Sequence, residues 1–524
     1  MSYYLNKKDL LQACEKSTVD IKRVNEIVVD VLNDVHQTSH SLRYWNIVVG
    51  PYVRYLVENY THYSLIPKSK KTLTEKVEIM ITGNFATFRS QIMSDEIGVE
   101  FSALMEHFKT NDLKSIKVKT SKKIIINNRT FFKKIISIYN YLVKLAPEKR
   151  IICITFVPKP SLFLNIIFKL RLLPFLLLKD ELLDSENNAD LDLREKIFNR
   201  ISSNKSNAFL PSNFWKLFCI LMPLSYIENY KKSLDYGAKK YGKPVKIILT
   251  EDIHSWDIFK IWTANSVLMG TKLTIAQHGA GYGTAESEYA ENHEVDVADL
   301  FLSWFKSTKK NVIQVPSKNF IRRNNKYKFY SVLVNSSFSK GFYKYCGGPI
   351  NEQILQNLDD QFIFLRHLES KILSSMKVRQ PNTINKFQYI NKTYEKSGFD
   401  SLVDKDSKYY SLISEARLVV SSYAGTSWQE TLMNNIPTVI FFDPLAFPKR
   451  LSVHPYLGKL SKVGILHYSP KLAANQINKV FPDIDKWWNS SELQDARQDF
   501  CRRFGYTEKK WAKKWTTSIN SILD

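Results

Sequence analysis

Leu273-Thr274-Ile275-Ala276-Gln277-His278-Gly279-Ala280-Gly281-Tyr282-Gly283-Thr284 is the stretch on which the fold turns. Its first four residues form an apolar run that predicts a buried strand. The run breaks at Gln277 into a loop with glycine at Gly279, Gly281 and Gly283. Glycine tolerates positive φ and lets a backbone approach a ligand closely. His278, a titratable imidazole, stands where strand gives way to loop, and Tyr282 lies inside the loop. Acids follow at Glu286, Glu288, Glu291, Glu294, Asp296 and Asp299, with His293 among them, before a second apolar run from Leu300 to Trp304. Open α/β sheets bind ligands beyond the carboxyl ends of their strands, so chemistry is expected here. The competing reading is a tight turn capped by a polar histidine, because short glycine patterns are weak signals.

The surrounding sequence alternates strand and helix. Upstream, residues 245–249 read as a strand and 258–269 as an amphipathic helix closed by Gly270. Downstream, strands are expected over 311–315, 330–334, 362–365, 418–420 and 437–442, with 305–328 as a linker. Such alternation predicts right-handed βαβ units and parallel sheets. Residues 1–65 carry apolar positions at helical spacing, and the aromatics of Arg43-Tyr44-Trp45-Asn46-Ile47-Val48-Val49-Gly50-Pro51-Tyr52 are expected to fill a core beside the sheet. Further strands are expected over 77–81 and 151–156. Residues 162–178 read either as a buried helix pair or as a basic, apolar face resting on a membrane, and burial is favoured because the polar side is thin. The segment after Val480 is expected to be helical, with Trp487, Trp488, Trp511 and Trp515 on amphipathic segments, and to pack back across the first domain. The expected domains are 1–304, 305–475 and 476–524.

The 524 residues allow two or three domains. Lysine and arginine outnumber acids 75 to 51, giving +24, which favours anionic partners. The charge is dispersed, and no zinc-finger, RRM or KH signature is present, so nucleic acid is not expected as a partner. The cysteines at 14, 153, 219, 346 and 501 are far apart, so neither a disulfide framework nor a zinc site is expected and a reducing cytoplasm fits. The first residues lack an apolar h-region, so no secretory signal is expected.

A second constellation lies at Ser421-Ser422-Tyr423-Ala424-Gly425-Thr426-Ser427-Trp428-Gln429-Glu430. An apolar strand enters a small, hydroxyl-rich loop that opens a helix. Free N–H groups at a helix start, with Ser and Thr hydroxyls, make an anion site without lysine. Ser421, Ser422, Gly425, Thr426 and Ser427 are the candidate contacts. Glu430 is placed to reach a ribose hydroxyl or to cap the helix. Arg366, expected directly after a strand, could pair with a phosphate or lie on the surface. Ser336 and Ser337 end the strand over 330–334 and could face the same cleft or form a turn. The absence of GxxxxGK[ST] disfavours a P-loop NTPase, and His-Gly-x-Gly-x-Gly is not the dinucleotide fingerprint. Glu288 and Glu294, with Asp299, could orient His278 or bind an acceptor's hydroxyls, or form a solvated helix face. Without HExxH no metal is expected, and no cofactor is expected.

Three motifs together resemble a family of transferases encoded among bacterial surface-polysaccharide genes. They are the 43–52 stretch, Ile275 to Trp304, and Leu418-Val419-Val420-Ser421-Ser422 running on to Phe441-Phe442-Asp443-Pro444. The last is shared with many GT-B glycosyltransferases. More distantly, His278-Gly279 and Ser422-Tyr423 resemble capsule and teichoic-acid polymerases that use cytidine nucleotides. The resemblance implies an α/β, GT-B-like fold: two Rossmann-like domains facing a cleft, with extra N-terminal and C-terminal helices. It implies a nucleotide-sugar donor held by the C-terminal domain, and a glycan or lipid-linked glycan acceptor. His278 matches the family's loop histidine, expected to be catalytic with Glu288 and Glu294 beside it. Gln277, Gly279, Gly281, Tyr282 and Gly283 form the loop. Ser422, Thr426, Ser427 and Glu430 match the nucleotide-side loop. Ala280 stands where the family often has glycine. A CMP-activated acidic sugar such as a nonulosonate is the expected donor, and capsule or O-antigen the expected product. A CDP-polyol-dependent polyol-phosphate transferase and a non-enzymatic basic scaffold at a membrane surface are the alternatives. The expected location is cytoplasmic, at the inner face of the membrane.

Overall fold

The computed structural model describes residues 7–65, 78–81, 101, 103–120, 131–154, 159–176, 189–254, 256–279, 281–323, 330–335, 345, 348–350, 353–380 and 388–523. Ser336, Ser337 and Ala280 lie outside the described residues.

A short parallel pair, β1 (Glu78–Ile81) and β2 (Lys117–Thr120), stands apart from two parallel six-stranded sheets. The first large sheet contains β3 (Arg150–Ile154), β4 (Leu173–Leu176), β5 (Ile247–Thr250), β6 (Lys272–Ala276), β7 (Leu300–Ser303) and β8 (Val312–Gln314). Its order is β4-β3-β5-β6-β7-β8. The second contains β9 (Ser331–Val334), β10 (Met376–Arg379), β11 (Val403–Asp404), β12 (Leu418–Ser421), β13 (Thr438–Phe441) and β14 (Leu466–His467). Its order is β11-β10-β9-β12-β13-β14, the doubly wound arrangement in which the chain reverses between β9 and β12. Strands β5, β7, β9, β12 and β13 are buried along their whole length. That is why they read as apolar runs and not as alternating patterns: helices cover both faces of a parallel sheet.

The two sheets give the two Rossmann-like halves of a GT-B-like α/β architecture. Two long helices, α1 (Lys7–His36) and α2 (Leu42–Leu65), lie against the first half. The 43–52 stretch is helical, and Tyr44, Trp45 and Tyr52 are buried in the core shared with β5 and β6. At the other end of the chain, helix Trp511–Asn520 returns to the first half. Trp511 and Trp515 join the core of Ile151, Leu162 and Leu249, and Trp515 Nε1 donates to the Pro316 carbonyl at 2.8 Å. Truncating a tryptophan buried this completely costs about 3–5 kcal/mol.

Two expectations are corrected here. Residues 362–365 are not a strand but part of helix Gln353–Arg366. Phe362, Phe364 and Leu365 are buried, and a short apolar run cannot by itself separate a strand from a buried helix turn. Residues 162–176 are not a helix pair: helix Pro160–Leu170 ends at Arg171 in the left-handed region (φ 54°) and strand β4 follows, while 177 and 178 lie outside the described residues.

Candidate active site

Strand β6 delivers His278 to the carboxyl edge of the first sheet. Gln277, fully buried, braces the turn from inside: its Nε2 donates to the Gly279 carbonyl at 2.8 Å, and its Oε1 accepts from Trp304 N–H at 2.7 Å. Gly281 (φ 119°) and Gly283 (φ 70°) occupy conformations that L side chains rarely adopt. A Cβ at Gly283 would strike Phe305, and one at Gly281 would meet the Glu288 carboxylate at 2.9 Å. The loop is therefore folded against Glu288, the residue immediately before helix Tyr289–Val297.

That helix supplies the acid beneath the imidazole. Glu294 is fully buried and takes hydrogen bonds from the Tyr282 hydroxyl at 2.9 Å and from His254 Nε2 at 3.0 Å. His278 Nδ1 lies 3.3 Å from the Tyr282 oxygen and 3.9 Å from Glu294 Oε1. Burial, and then the carboxylates of Glu294, Glu288 and Glu291, hold the Tyr282 phenol far above its ordinary range. Tyr282 thus stays protonated, donates a hydrogen bond to Glu294, and offers its lone pairs to an N–H on His278 Nδ1. This arrangement makes Nε2 the nitrogen that can accept a proton. The His278 side chain is 45% exposed while Glu294 is wholly enclosed, so the ring can meet a solute and its partner cannot.

The second half contributes the loop after β12. Ser421 Oγ donates to the Tyr423 carbonyl at 3.0 Å and lies 3.1 Å from Ser427 Oγ. Ser422 Oγ sits 3.4 Å from the Val334 carbonyl and from Asn335 Oδ1, across the point where the strand order reverses. Asn357 Nδ2 holds the Ser422 carbonyl at 2.9 Å. Ser421 and Ser422 are buried struts of the loop. Gly425 precedes helix Thr426–Met433 as its N-cap residue, and Thr426 leads it.

The two edges meet. A methyl placed on Gly279 would lie 3.3 Å from Thr426 Oγ1. Beyond the glycine loop, Ala285 pairs with Lys449, Glu286 N–H donates to the Pro448 carbonyl at 3.0 Å, and Arg450 N–H donates to the Thr284 carbonyl at 3.1 Å. The Arg450 guanidinium grips both oxygens of Glu291 at 3.0 and 2.9 Å, while Glu291 Oε2 also accepts from Gly283 N–H at 2.7 Å. A planar, two-point pair of this kind fixes orientation as well as charge.

The sequence profile of the LIC12162 family of transferases matches residues 2–519. The chain belongs to that family. No curated protein matches it in sequence. Among solved structures it is similar to S. aureus MnaA with UDP, 12% identical, covering 72% of this chain and 97% of that one at a TM-score of 0.40. Anabaena Alr3699/HepE in complex with UDP and glucose is 9% identical, covering 72% and 99% at 0.37. Acinetobacter baumannii MurG is 10% identical, covering 85% and 99% at 0.32.

Not every expected residue of this LIC12162-family transferase reaches the meeting of the two sheets. Arg366 is the exposed last residue of helix Gln353–Arg366. That helix has Asn357 at the Ser422 carbonyl, so Arg366, more than two turns farther along, lies away from the loop. Its expected place beside a phosphate followed from the strand that is not there. Glu430 is buried, and its oxygens take hydrogen bonds from Asn319 Nδ2 at 2.6 Å, Tyr410 at 3.3 Å and Tyr409 at 3.2 Å. These partners tie Asn319 and helix Tyr409–Glu415 to helix Thr426–Met433, so both Glu430 oxygens are engaged within the protein. Asp299 is a clamp at the opposite end of the strand, accepting from Leu273 N–H at 2.8 Å and pairing with Arg43 at 3.0 Å.

Two residues beside this candidate site carry no readable motif in the sequence. His254 follows β5 and sits on the far side of Glu294; an isolated histidine in a polar turn carries no pattern. Lys449 is buried, with Nζ 3.5 Å from the Ala424 carbonyl and 5.9 Å from the Trp428 and Phe442 ring centres. It places a cation behind the hydroxyl loop, and its only sequence signal is its position after Phe447-Pro448.

Proposed function

We propose that this transferase is a GT-B glycosyltransferase that moves a sugar from a nucleotide donor to a bacterial surface glycan such as capsule or O-antigen. The observation that supports this reading is the close opposition of the His278–Gly279 turn and Thr426. Proton-accepting and anion-binding groups from different sheets then share one crevice, as transfer between two substrates requires. The donor's phosphates lie at the Gly425–Ser427 helix start, where the positive end of the helix, the Thr426 and Ser427 hydroxyls and the nearby Lys449 charge oppose the developing negative charge. Ser421 and Ser422 hold that loop in shape.

On the acceptor side, Nε2 of His278 takes the proton of the attacking hydroxyl. The positive charge that forms on the ring is met through Tyr282 by the Glu294 carboxylate, which His254 steadies from behind. A base positioned in this way contributes about 10²–10⁴-fold. The C–O bond to the nucleotide phosphate breaks as the new glycosidic bond forms, and the nucleotide leaves with the electron pair. Glu288 shapes the loop and does not touch the reacting atoms.

The donor class we infer is a CMP-activated acidic sugar, in keeping with the +24 charge and the motif likeness to cytidine-using polymerases. The acceptor class is a lipid-linked or growing glycan presented at the cytoplasmic side of the membrane. A thermal-shift series with CMP, CDP, UDP, GDP and CMP-sugars tests the donor, because a ligand that binds only the folded state stabilises it by about 2.7 kcal/mol at a hundred times its Kd. CMP and CMP-sugars are expected to give the largest shift. A larger shift with UDP replaces the CMP assignment. Product mass distinguishes a new glycoside from a phosphodiester, and the latter overturns the sugar-transfer reading.

A further inference from the structure

Two neighbouring helices at the β4 edge of the first sheet turn a continuous apolar face to solvent. On helix Phe131–Val143, Ile135, Ile138 and Leu142 are 48%, 65% and 59% exposed, and Leu145 just beyond it is 70% exposed. Their spacing of three, four and three residues places them on one stripe. The opposite stripe, Ile136 and Val143, is buried in the protein's cores. Asn140 fixes the helix's rotation by bonding both the carbonyl and the N–H of Leu176 on the edge strand. Helix Pro160–Leu170 repeats the division. Leu162, Ile166 and Leu170 are buried, while Leu164 and Phe168, one turn apart, are 52% and 76% exposed. The helices are in contact, with the Tyr139 and Phe163 rings 6.1 Å apart.

Single exposed apolar residues are ordinary, but a contiguous face of them marks an interaction surface. Its charge identifies the partner. Residues 131–176 contain eight lysines and arginines and one acid, Glu148. Lys169 and Arg171 are exposed beside Phe168. Among the described residues no helix is long and apolar enough to cross a membrane. Protein interfaces deplete lysine from their cores, whereas cations fringing an apolar stripe suit anionic headgroups above acyl chains.

We propose that this face docks the transferase on an anionic lipid bilayer, with Ile138, Leu142, Leu145, Leu164 and Phe168 entering the headgroup boundary and Lys169 and Arg171 meeting lipid phosphates. Lys159, immediately before helix Pro160–Leu170, donates to the Lys318 carbonyl at 2.6 Å and so ties this end of the helix to the segment between the two sheets. The docking itself does not depend on the sugar-transfer reading.

The test is co-sedimentation of the full chain with phosphatidylcholine vesicles, alone or carrying about one-third phosphatidylglycerol. Binding is expected to the anionic vesicles at low salt, weakened by about tenfold or more on the neutral vesicles and in high salt. The I138E/F168E double substitution, at exposed sites, is expected to abolish sedimentation while leaving the thermal midpoint unchanged. Turnover on a water-soluble acceptor is expected to stay at wild type. Three results overturn the proposal. The first is no binding of the wild type to anionic vesicles. The second is binding that I138E/F168E leaves intact. The third is light scattering that shows a dimer which the same pair of substitutions converts to monomer, with vesicle binding unaffected.

Discussion

Gly279 and Thr426 face each other across the two halves of the protein, close enough that a side chain at position 279 would press on the Thr426 hydroxyl. A methyl at position 279 would come within 3.3 Å of Thr426 Oγ1. The contact unites the turn that carries His278 with the helix start that is proposed to hold the donor.

Filling that gap is the first prediction. Gly279 is not among the glycines with positive φ, so a side chain there tests space and not backbone strain. Gly279→Val is expected to lower turnover by about tenfold or more, since misplacement of reacting groups by an ångström costs up to about a hundredfold. Its unfolding free energy is expected to change by less than about 1 kcal/mol. Steady-state kinetics with urea denaturation checks both. Full turnover in the valine variant would mean that the packing of these two residues does not set the position of the reacting groups.

The second concerns the link from imidazole to buried acid. Tyr282→Phe removes the hydroxyl that joins His278 to Glu294 and leaves the ring's packing on Phe301, 6.0 Å away, intact. It is expected to reduce kcat more than KM. Stability should fall by about 1–3 kcal/mol, because Glu294 loses one of its buried donors. A variant with unchanged kcat would show that the hydroxyl has only a structural part.

The third separates a buckle from a ribose contact at Glu430. Burial raises this carboxyl's affinity for its proton, opposed by the hydrogen bonds from Asn319, Tyr409 and Tyr410. Glu430→Gln keeps the shape and is expected to change stability by less than Glu430→Ala, which leaves the buried partners unsatisfied at about 1–3 kcal/mol. Nucleotide affinity should survive the glutamine change. Loss of nucleotide binding in a stable Glu430→Gln protein would restore the ribose role.

The fourth is a pH dependence of stability at His293. Burial lowers this imidazole to about 4 from its ordinary 6.5, despite the hydrogen bond from its Nε2 to the Asn46 carbonyl at 2.8 Å. The unfolded chain therefore binds a proton between pH 6.5 and 4 that the folded chain refuses, so stability is full above 6.5 and falls as pH drops through that window. The slope is about 1.4 kcal/mol per pH unit for this residue. His62, lowered by burial to about 3, adds loss of the same sign. Denaturation at pH 7 and pH 5 should show a loss of about 2 kcal/mol from His293, and His293→Gln should flatten the curve by that amount. An unchanged curve would contradict the burial argument.

Much of this was legible in the sequence because parallel strands with both faces covered are apolar throughout. Lys272–Ala276 and Leu418–Ser421 were both visible, and the loops after them were visible as abrupt losses of apolar character. The same signal misread residues 362–365, because a buried helix turn made of Phe and Leu is also an apolar run. The short edge strands Val403–Asp404 and Leu466–His467 gave no run long enough to read. Within the site, His278 announced itself through its glycines, and Glu294 through its place in an acidic stretch. Nothing local distinguished Glu294 from Asp299, since only tertiary packing puts one under the imidazole and the other at the far end of the strand. His254 and Lys449 enter from other elements, and sequence separation hid them.

The most direct test is the turnover of a folded His278→Asn protein with the donor nucleotide identified by thermal shift. The account predicts a loss of about 10²–10⁴-fold in kcat, with nucleotide affinity and unfolding free energy close to wild type. Wild-type turnover in that variant would contradict it.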